Sequence, residues 1–462
     1  MNGTEGSRNA RTRGHPTGRR GILLMLFLYP VITLLTRSCV FFTAFDSETV
    51  TRFVQEFLFG GHATPGWAAA ESLRWGLTRP VYSLTFLADF LLFGTDSRLY
   101  HATDFLIAWI TMLVLASLLL RHRGRFEAWA CLMIWAVMPS QAWSLFTFTG
   151  RNDRLASLFV LLAVRETAGW RDGPPGWLRQ LAVPLLLLLG FLSKESAAAC
   201  FVLPFAWLVL VEGWTPGSVL GRTRPALIPS LLLPFACFGV RAAFSLPLGD
   251  VGPLPGPVDC LTQFGRFVDF GLGSPGAVDP LLLGAFSVAS LACAVALRRL
   301  PPLTRFGALV ILLSVIPFSF TWIQHTFHWL PSLGVSLALA GVLAAAGGSG
   351  RLRHARIAVL TAAVMSYAWW GRMEAGNVCA QGVAARQAAI EAAGEGGPSI
   401  DGASILADHP SLAANLGYGP GIDFTGRAQV KMRCYLEDLV QVELRDPEAF
   451  ILWPSPAGGV SR

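Results

Sequence analysis

Lys194 is one of only two lysines, with Lys431, in a chain that carries 36 basic residues, and it stands beside Glu195 between two apolar runs, Leu185–Leu192 and Ala197–Val211. Ionisable groups next to hydrocarbon are costly and mark a site by default. Neighbours on one helix do not face each other, so Lys194 and Glu195 must each find a partner elsewhere in the chain. Other polar groups lie at the ends of apolar runs in the same way: Asp46 with Glu48, Arg79, Arg151 with Asp153 and Arg154, and His325 with His328. Brought to one end of a helical bundle, an acidic loop with cations around it suits one kind of chemistry. A carboxylate deprotonates a hydroxyl while the cations stabilise an anionic phosphate leaving group.

The elements that must position these residues are apolar. Of 462 residues 53% are hydrophobic and 14% charged, and the mean hydropathy is +0.52, a balance far from that of a soluble globular domain. Weakly charged runs recur at 21–45, 105–120, 128–148, 155–164, 178–192, 197–211, 226–246, 280–297, 306–323, 327–346 and 357–370. With a helix needing ~20 residues to cross a bilayer, this reads as an all-α polytopic membrane protein of about 11 spans. The run at 155–164 is short and is expected to extend through Ala168.

Arginines fix the orientation. Alternate connections hold Arg8, Arg11, Arg13, Arg19 and Arg20, then Arg121, Arg123 and Arg125, then Arg171 and Arg179, Arg222 and Arg224, Arg298, Arg299 and Arg305, and Arg351, Arg353 and Arg356. The positive-inside rule assigns these to the cytoplasm. The opposite connections are balanced or acidic, so 1–20 reads as a cytoplasmic basic tail, 21–370 as the transmembrane domain with its first external loop at 45–98, and 371–462 as an external α/β appendage. The multi-pass protein then has its N-terminus inside and its C-terminus outside, as in a bacterial inner membrane. Pro80–Gly94 contains Asp89 and is only about fifteen residues long, so it reads as an interfacial helix on the outer side, with a re-entrant segment or a true span as the alternatives. The net charge of +7 follows from this topology and argues for no nucleic-acid partner, since no basic patch is interleaved with stacking aromatics. No CxxC or Cys/His metal spacing occurs; Cys260, Cys379 and Cys434 fall on the outer side in this topology, where a Cys379–Cys434 disulfide is conceivable.

Four motifs in register add a resemblance. Arg79-Pro80-Val81-Tyr82-Ser83-Leu84-Thr85-Phe86, followed by Gly94 and Tyr100-His101, resembles the first-loop segment of the membrane O-mannosyltransferases that carry tetratricopeptide repeats, and of their bacterial relatives. Met138-Pro139-Ser140-Gln141 leading to Gly150-Arg151-Asn152-Asp153-Arg154-Leu155-Ala156 is similar to that family's Pro-containing third helix and the element after it. Leu192-Ser193-Lys194-Glu195 and Leu330-Pro331-Ser332-Leu333-Gly334 are similar to its Ser-Lys-Glu and Leu-Pro-Ser-x-Gly signatures. The resemblance covers roughly residues 20–345.

The resemblance implies a GT-C type glycosyltransferase, which moves a sugar from a polyprenyl-phosphate donor to an extracytoplasmic protein, glycan or lipid acceptor. Asp46 then stands as the general base with Glu48 as its helper, Arg79, Arg151, Lys194 and His325 hold the donor phosphate, and Asp153, Arg154, Glu195 and His328 support them. No cofactor and no metal ligands are assigned, with a divalent cation left open. Three departures bear on activity: Phe45 stands where the family has a second acid, Thr326 where it has an arginine, and no tetratricopeptide repeats follow the last run.

Each residue also has a structural alternative. Asp46 can be a loop acid or a helix cap, Arg79 a snorkelling anchor, Arg151 and Asp153 a local ion pair, and Lys194 a structural partner for a buried carboxylate. His325 and His328 can be polar plugs, two histidines being too few for a metal. Two further functional readings stand beside the transferase, a lipid or solute transporter and a non-catalytic scaffold derived from such enzymes.

Overall fold

Prolines and extended residues, more than the apolar runs, decide where the helices begin and end. The computed structural model describes residues 27, 29–33, 63–74, 79–94, 97–146, 150–170, 176–243, 256–271, 279–317, 329–346 and 354–373. Among these every regular element is helical. In chain order they are α1 (Pro65–Arg74), α2 (Pro80–Phe93), α3 (Ser97–His122), α4 (Arg125–Val137), α5 (Pro139–Phe146), α6 (Gly150–Ala168), α7 (Trp177–Ser193), a 3-10 turn (Glu195–Cys200), α8 (Leu203–Leu210), α9 (Pro216–Arg222), α10 (Arg224–Ala243), α11 (Pro257–Gly271), α12 (Pro280–Ala296), α13 (Pro302–Val315), α14 (Trp329–Ala345) and α15 (354–373). Pro80, Pro216, Pro280 and Pro302 each open a helix, where a missing N–H costs nothing and the fixed φ suits the first turn.

The expected helical class is what the described residues adopt, and α6 does run to Ala168. The expected span count meets a different pattern. One helix, Leu99–His122, is by itself long and apolar enough to cross a membrane, and the pair Pro216–Arg222 and Arg224–Val240, bent by 94°, would add a second if counted as one span. Six further apolar helices among the described residues are 10–17 residues long, and one of the runs is interrupted. Met138, with ψ 141, is extended, as a residue before proline prefers to be, and this divides 128–146 into α4 and α5. Lys194 is extended at φ −159 and ψ 128 and separates α7 from the 3-10 turn. The first run is described only at 27 and 29–33, and the external α/β appendage and the Cys379–Cys434 pairing lie outside the described residues.

Helix α6 is the hub, packed against α3, α7 and α8 and touching α2, α5 and α14. Asp104 of α3 meets Arg151 and Arg154 near the start of α6, and Ser117 further along α3 accepts from Arg165 near its end, so the two helices run parallel. Helix α7 runs the other way, with Arg179 on Glu166 at one end and Lys194 on Asp153 at the other. The bundle therefore has two polar ends. One holds the Asp104 and Lys194 contacts; the other holds the His122–Glu212 pair, the Arg179–Glu166 pair and Arg356 stacked on Phe126.

Between the ends lies an aromatic and aliphatic core. Trp135 and Trp329 pack with ring centroids 5.1 Å apart, and Trp207 meets Phe306 edge-on at the same separation. A close seam joins α13 and α14. A Cβ on Gly307 would lie 2.5 Å from the Gly334 carbonyl, and one on Gly334 would lie 2.8 Å from the Gly307 carbonyl. Only residues without a side chain let two backbones approach this closely. The outer faces of the helices carry exposed large apolar residues, among them Leu92 of α2, Phe235 of α10, Phe286 of α12 and Trp369 of α15.

Candidate functional site

The first turn of α6 supplies the centre of the site. Gly150 opens the helix, and its one-turn sequence Arg151-Asn152-Asp153-Arg154 is buried throughout. Charges at such a position require compensation from neighbouring elements, and each neighbour provides it.

Arg151 is fully buried and is the most heavily engaged side chain. Its Nη1 lies 2.6 Å from Asp89 Oδ2 of α2, and its Nε donates to Asp104 Oδ1 of α3 at 2.5 Å. Its Nη2 donates to the Tyr100 carbonyl at 2.9 Å, and the guanidinium stacks 4.1 Å above the Phe86 ring. Thr103 donates to the other oxygen of Asp89 at 2.8 Å and holds that carboxylate in place. Arg154 shares the same Asp104 oxygen through Nη2 at 2.8 Å. His101, one helical turn before Asp104, sets Nδ1 3.1 Å from the Leu145 carbonyl of α5 and 3.9 Å from Asp104. This layer ties α2, α3, α5 and α6 together.

A second layer sits beside it. Lys194 Nζ reaches both oxygens of Asp153, at 2.6 and 2.5 Å, and Arg79 Nε donates to Glu195 Oε2 at 2.9 Å. Lys194 and Glu195 thus have separate partners from distant parts of the chain, as two neighbours must. Backbone explains the placement: Lys194 leaves the helix in an extended conformation, its N–H capping Gly190, and Glu195 starts the 3-10 turn in a new direction. Arg79 immediately precedes Pro80 at the entrance to α2, and its carbonyl accepts from Ser83.

Burial grades the two layers. Arg151, Arg154 and Asp104 are sealed, Lys194 and Asp153 are nearly so, and the Arg79 and Glu195 side chains retain 22% and 17% of their exposure. Lys194 lies in the break between helices, where burial lowers its ammonium to about 8, with Asp153 pulling upward and Arg79 pushing downward. At neutral pH it is still a cation.

Of the residues singled out in the sequence, the structure brings together Arg79, Arg151, Asp153, Arg154, Lys194 and Glu195. Asp46, Glu48, His325 and His328 lie outside the described residues. The local Arg151–Asp153 pair does not form; Asp153 binds Lys194 and Arg151 binds Asp89 and Asp104. Asp89, Asp104 and His101 are additional members of the cluster, and the signal for the two acids was their presence inside otherwise apolar helices. Among the described residues no three His, Cys, Asp or Glu side chains are grouped to hold a metal ion.

The Leu-Pro-Ser-x-Gly segment has a packing role. Ser332 accepts a hydrogen bond from Trp135 Nε1 at 3.0 Å while donating to the Trp329 carbonyl, and Gly334 forms the close seam with α13. Chemically, the cluster offers a sealed ionic brace and, at the helix break, the part-exposed Arg79 beside the nearly sealed Lys194. Compared with protein-family models, with curated proteins and with solved structures, the chain matches none.

Proposed function

We propose that the protein is a multi-pass membrane glycosyltransferase that moves a sugar from a polyprenyl-phosphate donor to an extracytoplasmic acceptor hydroxyl. The observation that carries the reading is the convergence of Arg79, the first turn of α6 and the Lys194–Glu195 break at one end of the bundle, from segments far apart in sequence. Membrane placement draws support from the apolar helix Leu99–His122 and from the exposed Leu, Phe and Trp side chains on the outer helix faces. The opposite end of the bundle gathers Arg179, Arg356 and His122, in keeping with an arginine-rich cytoplasmic side.

Roles divide according to burial. Arg151 and Arg154 brace the site through Asp89 and Asp104. Arg79, which reaches the surface, and Lys194, in the helix break beside it, contact the donor phosphate. Asp46, from the first external loop, takes the proton of the acceptor hydroxyl as its oxygen attacks the anomeric carbon; the bond from that carbon to the phosphate oxygen breaks, and polyprenyl phosphate leaves as an anion held by the two cations. A single displacement inverts the anomeric configuration. Each cation lost from such a pocket costs ~3 kcal/mol of transition-state stabilisation.

One observation favours a second reading, a non-catalytic scaffold: every cation of the described cluster already has a carboxylate beside it. Transport is less well supported, because its sites lie near the midplane between repeats, whereas these charges lie at one end. Reconstitution with a radiolabelled polyprenyl-phosphate sugar separates the readings. Transfer by the wild type, abolished in Asp46→Asn with donor binding retained, is the enzyme's signature; binding without transfer in the wild type identifies the scaffold. Counterflow in proteoliposomes tests transport.

A further inference from the structure

Existing ion pairs limit how an anion can enter the cluster. Among the described residues the cations Arg79, Arg151, Arg154 and Lys194 lie against the carboxylates Asp89, Asp104, Asp153 and Glu195. An anion that comes to one of these cations competes with the carboxylate already beside it, since a second negative charge next to a buried carboxylate is unfavourable.

The carboxylates differ in how readily they can leave. Asp104 is fully buried and holds two arginines, so its departure would strand both. Asp89 is held by Arg151 and Thr103. Asp153 grips Lys194 with both oxygens and is nearly sealed. Glu195 differs from all three: its contact with Arg79 runs through Nε, both side chains reach the surface, and it begins the 3-10 turn immediately after the extended Lys194. A carboxylate with partial exposure can turn into water when it leaves, and so avoids the cost that a buried one would incur.

We infer that Glu195 occupies the phosphate seat on Arg79 in the resting protein and is displaced by the incoming phosphate anion, so that Arg79 exchanges an internal carboxylate for the ligand. Lys194, the residue next to the departing carboxylate, is then flanked by the phosphate. The exchange gives the site selectivity for the phosphate head: a ligand must bring its own anion to dislodge Glu195, and a neutral prenyl alcohol cannot. The identity of the ligand as a prenyl phosphate rests on the glycosyltransferase reading; the competition between Glu195 and an anion for Arg79 rests on the geometry.

The test uses the full chain in phosphatidylcholine nanodiscs, with farnesyl phosphate, farnesol and inorganic phosphate as probes. Glu195→Gln should bind farnesyl phosphate about fivefold more tightly than the wild type, the factor that corresponds to a partly exposed ion pair of about 1 kcal/mol. Glu195→Asp, which keeps the charge on a shorter arm, should fall between the two, and it serves as the test if the glutamine variant does not fold. Arg79→Met should lose the farnesyl phosphate affinity, and farnesol should bind all variants alike. A gain for inorganic phosphate in Glu195→Gln identifies the free anion as sufficient; a gain for farnesyl phosphate alone identifies the lipid-linked head. Equal or weaker farnesyl phosphate binding by both Glu195 variants, with Arg79→Met still impaired, overturns the exchange and leaves the phosphate site standing. Failure of every form of the protein to bind farnesyl phosphate overturns the exchange together with the donor reading.

Discussion

Replacing Lys194 with methionine separates a phosphate-binding cation from a structural one, provided that its partner is treated at the same time. The ammonium contacts both oxygens of Asp153, at 2.6 and 2.5 Å, and only 10% of the Asp153 side chain is exposed. Methionine keeps the length of the side chain but leaves that carboxylate buried and uncompensated, at a cost of about 3–5 kcal/mol in folding stability. If Lys194 also holds donor phosphate, the variant loses in addition ~3 kcal/mol of ligand stabilisation, about a hundredfold. The double variant Lys194→Met with Asp153→Asn removes both charges, and a neutral pair of similar volume is close to neutral for stability. Thermal unfolding followed by tryptophan fluorescence should thus show a large drop for Lys194→Met and a return most of the way for the double variant. Prenyl-phosphate affinity, measured on the folded fraction in nanodiscs, should stay low in both. Recovery of affinity together with stability in the double variant would refute the phosphate role and leave Lys194 as a partner for Asp153 alone.

Arg151→Met should behave in the opposite sense: it strands Asp89 and removes one of the two arginines on Asp104, lowering stability by about 3–5 kcal/mol, while the folded fraction keeps its prenyl-phosphate affinity because Arg151 is sealed behind its partners. Gly334→Leu should open the α13–α14 seam, where a Cβ already meets the Gly307 carbonyl at 2.8 Å, costing at least about 1–3 kcal/mol; the same thermal assay reads it, and a shift in Trp135 emission should accompany it as the Ser332 contact loosens. The Lys194 ammonium is lowered to about 8, so its charge is present below that pH and lost above it. Farnesyl phosphate is already a dianion above about pH 6, and its affinity should therefore fall about tenfold between pH 7 and pH 9, a dependence that Lys194→Arg should flatten.

The sequence made the members of the cluster easier to find than their pairings. Lys194 and Glu195 stood out because two charges beside apolar runs need partners, and because adjacent residues cannot serve each other; Asp153 and Arg79 are those partners. Which acid meets which cation depends on the parallel course of α3 and α6 and the antiparallel course of α7, and no local spacing reports that. Asp89 was informative in the sequence as an obstacle to a membrane span, yet the same fact, a carboxylate in an apolar helix, also implies a buried cation, and Arg151 is that cation. Asp104 gave the same kind of signal within α3. Run lengths misled where the backbone breaks inside a hydrophobic stretch: Pro139 forces Met138 out of the helical region, so hydropathy remains continuous while the helix does not, whereas the break at Lys194 falls in the gap between two apolar runs, where the sequence placed it.

The central claim, sugar transfer from a polyprenyl-phosphate donor, is tested most directly by the anomeric configuration of the product. Purified protein in liposomes, given a β-linked polyprenyl-phosphate hexose and a hydroxyl acceptor extract from its host membrane, should yield an α-linked product as read by NMR, with polyprenyl phosphate released in equal amount. Release of free hexose with no glycoside, a product of retained configuration, or no turnover of a donor that is demonstrably bound would contradict the account.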